Sequence, residues 1–361
     1  MVNTMLRSLE IQNFKGIKQG KIDDLAQVNI LVGRNNSGKS TILDALILLR
    51  SAIIGQDYLE ENGIQQILSR RVDRGRGNFN YDELWYGMRT DEPVLLKAAL
   101  NANVKISETW TSRGPGNSPG SGNALVVDGS AEFNWASDDS PYTAKKFREG
   151  NIWRGIAARI SEDDATFLAL IHILDPNGVH IPYAERIWPE LINDRRDIKV
   201  TRMLNEIYGT NIEYLSFMPH PNQVRLVAAI PHTGLAVDWM GDGFRYAVNI
   251  LALGVVLQGT ALLVEELETH QHPESLRKLT ETLFELAKQQ DLQLFLTTHS
   301  MELISYALEA AQEKEVDLML HHLNLNEKGT LHSTPFTKPN AQMMLDIGHD
   351  PRLHYKYTGV E

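Results

Sequence analysis

The chain has 361 residues, 42% hydrophobic and 22% charged, with no cysteine and a formal net charge of −11. It exceeds the usual domain of about 100–200 residues, so one large α/β domain with a sizeable insertion is expected. The lack of cysteine excludes disulfides, thiolate metal sites and a cysteine nucleophile, and the acidic balance argues against a surface coated with basic residues.

The opening MVNTMLRSLEIQNF lacks the apolar stretch of about 7–15 residues that follows a basic start in a secretory leader, and no later apolar run approaches the roughly 18 residues of a membrane span. The expectation is a cytoplasmic protein that neither enters nor crosses a membrane. Residues 5–12 and 27–32 read as strands, the second apolar enough to be buried in a sheet. Then comes Gly33-Arg-Asn-Asn-Ser-Gly38-Lys39-Ser40, a complete G-x-x-x-x-G-K-[ST] phosphate loop. From Lys39 onward apolar residues recur at helical spacing, with no Gly or Pro before Gly55. A buried strand, a polar loop and a helix start place backbone N–H groups and the positive end of the helix against a β-phosphate. Lys39 then reaches the β and γ phosphates of ATP, and the Ser40 hydroxyl holds Mg²⁺.

Arg70, Arg71, Arg74 and Arg76 form the one dense basic run. It reads first as a solvated loop, with nucleic-acid contact as the lesser alternative. Between 100 and 240 the pattern is harder to assign, and SRGPGNSPGSG at 112–122 has the composition of a flexible loop.

Regularity returns at Met240-Gly241-Asp242-Gly243-Phe244-Arg245. A Gly-flanked helix start offers unpaired N–H groups to an anion, or it is simply a capped turn with Asp242 as the cap. Residues 244–258 read as helix and 261–266 as a buried strand ending in Glu265 and Glu266. A carboxylate for Mg²⁺ followed by a base for the attacking water belongs at that place in P-loop enzymes. Residues 273–290 read as a helix starting at Pro273, and 292–298 as a second buried strand that leads into His299, a candidate γ-phosphate sensor. His270 and His272 with Glu268 have a weak metal-like spacing, but zinc wants more ligands. Asp346, Asp350 and Arg352 near the end read as loop or cap residues. Alternating strands and helices predict a mostly parallel sheet with helices on its faces.

The order of phosphate loop, signature turn, carboxylate strand and histidine resembles an ABC-class ATPase of the SMC/RecF kind. IQNFKGI (11–17), GRNNSGKSTILDAL (33–46), EELETHQHP (265–273) and TTHS (297–300) more narrowly resemble the OLD-like bacterial ATPases. Leu267 stands where that group commonly has proline. The resemblance implies residues 1–90 and 236–361 as the two parts of an ATPase head, with 91–235 as an insertion or lid. It implies nucleotide contacts from Lys15, from Gly33, Asn35, Asn36, Ser37, Gly38, Lys39, Ser40 and Thr41, and from Gly241, Asp242 and Gly243 of a second copy. Glu265 and Ser40 would take the metal, Glu266 the base role and His299 the switch role. Glu265 replaces the usual Asp and Gly241 the usual Ser, so slow hydrolysis is expected. The nuclease domain of OLD proteins is not expected in the roughly 60 residues after His299. The implied function is an ATPase that forms a homodimer or higher oligomer on ATP and controls a separate effector, with phage defence as a setting. The alternatives are a RecF-like ATPase acting on DNA and a nucleotide-gated scaffold with little turnover.

Overall fold

In the computed structural model, the described residues are 4–51, 63–70, 81–101, 104–115, 125–135, 138–145, 162–176, 182–220 and 223–354. The first strands are β1 (Leu6–Phe14), β2 (Ile17–Ile22) and β3 (Val28–Val32), and the phosphate loop joins β3 to helix α1 (Lys39–Ser51). Helix α2 (Gly63–Ser69) follows, then the antiparallel run β4 (Val94–Leu100), β5 (Val104–Pro115), β6 (Leu125–Trp135) and β7 (Asp138–Lys145). Next are α3 (Glu162–Ala169), β8 (His172–Leu174), α4 (Pro182–Asn193) and α5 (Asp197–Tyr208). A three-stranded meander, β9 (Tyr214–His220), β10 (Gln223–Ile230) and β11 (Thr233–Ala236), leads to α6 (Asp242–Val256) and β12 (Ala261–Val264). The chain continues through α7 (Pro273–Gln289), β13 (Gln293–Thr297), α8 (Met301–Glu313), β14 (Leu318–Leu325), β15 (Thr330–Thr337) and α9 (Lys338–Asp346).

Twelve of these strands make one sheet. In the half holding the phosphate loop, β3 lies between β13 and β14, with β12 and β8 beyond β13, and all four pairings are parallel. In the other half β1 pairs antiparallel with β2 and β4, and β4 to β7 continue antiparallel. Every residue of β3, β12 and β13 is buried, as strands covered on both faces require. Alternation then splits them between two cores. Val28, Ile30, Val32, Leu262, Val264, Leu294 and Leu296 join α4 to α8 on one face. Leu31, Ala261, Leu263 and Phe295 join α1, α2 and α3 on the other. The parallel strands all end at one edge, where an α/β sheet places its ligand.

One expectation is corrected here. Residues 112–115 belong to β5 rather than to a flexible loop; pairing of Ser112 and Pro115 with β6 overrides the Gly-Pro composition. The rest of that loop lies outside the described residues, as do Arg71, Arg74 and Arg76. Parts of the stretch 91–235 pack with the head. Its β8 completes the parallel ladder beside β12, and Ile187, Trp188, Leu191, Val200 and Leu204 of α4 and α5 pack into the same core as α6. Three residues of β8 are too short a run to show a period.

Candidate active site

A cleft of about 750 Å³ opens at the ends of the parallel strands, lined by Lys15, Gly16, Asn35, Asn36, Ser37, Gly38, Lys39, Ser40, Thr41, Asp44, Glu265, Glu266, Thr297, His299 and Leu325. The loop that frames it is dictated by its glycines. Gly33 (φ 143°) and Gly38 (φ 96°) occupy backbone conformations that L side chains rarely adopt. A Cβ on Gly33 would stand 2.4 Å from the Leu323 carbonyl oxygen. Gly33 itself does not line the cleft; its carbonyl accepts the Lys39 ammonium at 3.0 Å, and that of Arg34 does so at 2.9 Å. Lys39 is therefore aimed along the loop. Burial pushes its ammonium down to about 8, against the opposing pull of Glu266, Glu265 and Glu268. The Ser37 Oγ is buried in the same loop without a protein hydrogen bond. A cation, an unpaired hydroxyl and a glycine cradle at a helix start suit a polyphosphate.

Glu265 and Glu266 both line the cleft because the strand stops before them. β12 ends at Val264, and Glu266 turns into the left-handed region at φ 49°. Its N–H donates to the Thr297 Oγ1 at 3.0 Å. The Glu265 N–H donates to the Leu174 carbonyl at 2.9 Å, and the Tyr246 hydroxyl donates to the Glu265 carbonyl at 2.7 Å. The Glu265 carboxylate accepts the Ser40 hydroxyl on Oε1. Two adjoining hard oxygen donors at the phosphate end of the cleft suit Mg²⁺.

His299 is fixed through its main chain: its N–H donates to Glu268 Oε1 at 2.7 Å, and its carbonyl accepts Arg352 Nη1 at 2.5 Å. Burial first and Lys39 second hold its imidazole below the ordinary value, so the neutral form prevails at pH 7. Glu268 thus holds the His299 main chain through Oε1, and His272 caps α7 by accepting the Glu274 N–H at 3.3 Å. Among the described residues no three His, Asp or Glu side chains meet in a metal-holding group. Asp350 is the cap expected of it, accepting the Arg352 N–H at 2.9 Å, but Arg352 reaches the His299 carbonyl, which no local pattern indicates.

Gly241, Asp242 and Gly243 lie at the start of α6 and do not line this cleft. The cap is Gly241 rather than Asp242, whose side chain instead pairs with Arg245 at 3.0 Å. Lys15, in the turn after β1, lines the cleft and pairs with Asp44 at 2.5 Å.

The largest departure is Arg70. It is not solvated: its side chain is 5% exposed and contacts Asp44 at 2.5 Å, Asp175 at 3.2 Å and Glu265. Burial opposes its charge, but the three carboxylates raise its pKa overall. Its partners lie 26, 105 and 195 residues away in sequence, so only the fold could reveal them.

Two protein families match the chain. Residues 5–80 match the AAA ATPase domain, and residues 232–305 match the domain described as "AAA domain, putative AbiEii toxin, Type IV TA system". An ATP/GTP phosphatase of Helicobacter pylori is 23% identical over 339 residues, covering 86% of this chain and 90% of that protein. An uncharacterized protein of Methanocaldococcus jannaschii is 32% identical over 113 residues, 31% of this chain and 99% of that protein. Among solved structures, the Smc head domain of Pyrococcus furiosus bound to the C-terminal domain of ScpA aligns with 95% of this chain and 99% of its own, at 13% identity and a TM-score of 0.49. The SMC head domain of Thermotoga maritima aligns with 92% of this chain and 98% of its own, at 14% identity and a TM-score of 0.42. No helix among the described residues is long and apolar enough to cross a membrane. The two matched domains carry the phosphate loop and the carboxylate pair that meet in the cleft; the chain is an AAA-domain ATPase with a P-loop fold, of one family with the Methanocaldococcus jannaschii protein it covers almost end to end.

Proposed function

We propose that this ATPase is of the ABC/SMC head type, closes as a homodimer around ATP in the cytoplasm, and passes its nucleotide state to a separate effector, as in OLD-like defence systems. The observation that carries this reading is the position of the α6 start. Gly241 has open space where a Cβ would stand, the Asp242 side chain is 61% exposed, and neither they nor Gly243 reach the cleft of their own chain. A helix start exposed at Gly241 and Asp242 and lying outside its own chain's cleft would serve as an anion site for the γ-phosphate held by a second copy.

Within each cleft, Lys39 and the N–H groups of Asn35 to Thr41 would bind the β and γ phosphates. Ser40 and Glu265 would hold Mg²⁺, which neutralises charge on those phosphates. Glu266, turned inward and held by Thr297, would orient and deprotonate the attacking water. Neutral His299 would donate a hydrogen bond to the γ-phosphate.

Partner contact is assigned to the outer antiparallel strands β5 to β7, which lie farthest from the loop in the sheet order, and not to the whole stretch 91–235. The description of the second matched domain, a type IV toxin system, is compatible with a separate effector or antagonist chain.

The test mixes two variants. Lys39→Ala removes the phosphate cation, and Gly241→Asp sets a carboxylate toward the partner's γ-phosphate. Each alone should be inactive, and mixing should restore part of the rate, because one site of the mixed dimer has an intact loop and an intact signature. A Gly241→Asp protein that hydrolyses ATP at the wild-type rate, independent of protein concentration, would overturn the shared site. DNA stimulation of that rate would favour the RecF-like alternative.

A further inference from the structure

Arg70 comes from neither the phosphate loop nor the carboxylate strand, yet it joins two carboxylates that line the cleft, Asp44 and Glu265. Nη1 donates to Asp44 Oδ1 at 2.5 Å, Nε to Asp175 Oδ2 at 3.2 Å, and Nη2 to Glu265 Oε2. The second oxygen of Asp44 holds Lys15 Nζ at 2.5 Å, and the second oxygen of Glu265 accepts from Ser40. Cation and carboxylate thus alternate from Lys15 through Asp44 and Arg70 to Glu265.

The placement of Arg70 is itself determined by buried contacts. Its N–H donates to the Gln66 carbonyl at 3.2 Å, continuing α2. α2 is docked on α1 by Arg50, which is 1% exposed and donates to Gln66 Oε1 at 3.0 Å and to the Ile171 carbonyl at 2.8 Å. A planar guanidinium offers donors in a fixed fork, so two nearly buried carboxylates on different arms constrain each other's orientation. Lysine, a point charge on a flexible stem, cannot do so.

We propose that Arg70 is a positioning residue of the ATPase site: by holding Glu265 Oε2 it presents Oε1, beside the Ser40 hydroxyl, to the metal of the bound nucleotide. This rests on the reading of Ser40 and Glu265 as the metal holders. Asp44 and Asp175 fix the guanidinium from the far side, so the orientation of Glu265 is set by residues from α1, from the end of α2 and from the residue after β8.

The competing role is purely structural, as counter-charge for carboxylates that would be costly to bury alone. A metal-binding measurement separates the two. Mn²⁺ binding in the presence of ADP is followed by electron paramagnetic resonance for the wild type, Arg70→Ala, Arg70→Lys, Glu265→Gln and the Arg70→Ala/Glu265→Gln double variant, with thermal unfolding in parallel. Arg70→Ala should raise the Mn²⁺ half-saturation about tenfold or more, as loss of a group orienting a metal ligand does. Arg70→Lys should recover only part of it, and the double variant should bind no worse than Glu265→Gln alone, since Arg70 acts through Glu265. If Arg70→Ala does not fold, Asp175→Asn, which loosens one arm, should still shift the half-saturation in the same direction. An unfolding temperature that falls while Mn²⁺ half-saturation stays within about twofold makes Arg70 a counter-ion only and overturns the proposal. An unchanged half-saturation in Glu265→Gln instead overturns the metal reading of Glu265, and this proposal with it.

Discussion

Gly243 lies directly against the His270 carbonyl: a Cβ on Gly243 would stand 2.3 Å from that oxygen. The Gly243 carbonyl in turn accepts the Tyr208 hydroxyl at 3.0 Å and Gln271 Nε2 at 2.9 Å. The start of α6 and the turn after the carboxylate pair are therefore one packed unit. Through Glu268 this unit also contacts the His299 N–H.

Gly243→Ala should destabilise the protein by about 1–3 kcal/mol, because the new methyl meets a backbone carbonyl that cannot rotate away. Gly241→Asp, two residues earlier at a helix cap with open space, should stay within about 0.5 kcal/mol of wild type. Urea unfolding of both variants checks this, and equal stability for the two would contradict the packing against His270.

Glu266→Gln should keep nucleotide affinity and slow hydrolysis by about 10²–10⁴-fold, since the amide retains shape but cannot take a proton. It should also accumulate an ATP-bound dimer, visible by light scattering. Glu265→Gln should instead raise the Mg²⁺ requirement. If Glu265→Gln were the slower variant with unchanged Mg²⁺ dependence, the two roles would be reversed.

Lys39 sits at about 8, below its ordinary 10.5, because it is buried. Phosphate charge brought beside it favours the cation and draws its pKa back up. Between those values the nucleotide complex holds the proton more firmly than the free protein, so affinity is fully expressed below about pH 8 and falls by about tenfold per unit above it. Calorimetry in buffers of different ionisation enthalpy should find proton uptake near zero at about pH 6.5 and approaching one at about pH 9. Pathways without Lys39 would show no such rise.

Glu108, on β5, is fully buried with the Trp110 indole donating to it at 3.3 Å, and burial raises its carboxyl well above the ordinary value. A carboxyl raised on folding favours the native state at low pH, and that contribution is lost as pH rises through the unfolded value of about 4.3 toward the folded one. Glu108→Gln removes the ionisable group and keeps the shape. It should raise the unfolding temperature at neutral pH by about 2–5 °C and flatten its pH dependence above about pH 4, as calorimetric scans would record.

The phosphate loop, the glutamate pair and His299, which the structure gathers at one cleft, were legible because each is a local feature. A phosphate loop is eight consecutive residues whose glycines fix the backbone, and the buried strands before it, before Glu265 and before His299 are short and mostly apolar, broken only by Asn29 in β3 and by Gln293 and Thr297 at the ends of β13. Helix α7 starts at Pro273, as its sequence indicates. Adjacent glutamates on a regular strand would face opposite ways; only the left-handed turn at Glu266 brings both to the cleft. Tertiary structure alone decided that β8, three residues long, brings Asp175 beside Glu265, and that Arg70 leaves its basic run to join them. It likewise decided that Arg352 reaches back to His299. Periodicity and motif spacing report what a segment does with its own neighbours, whereas an ion pair across 195 residues depends on where the core sets two distant segments of the chain.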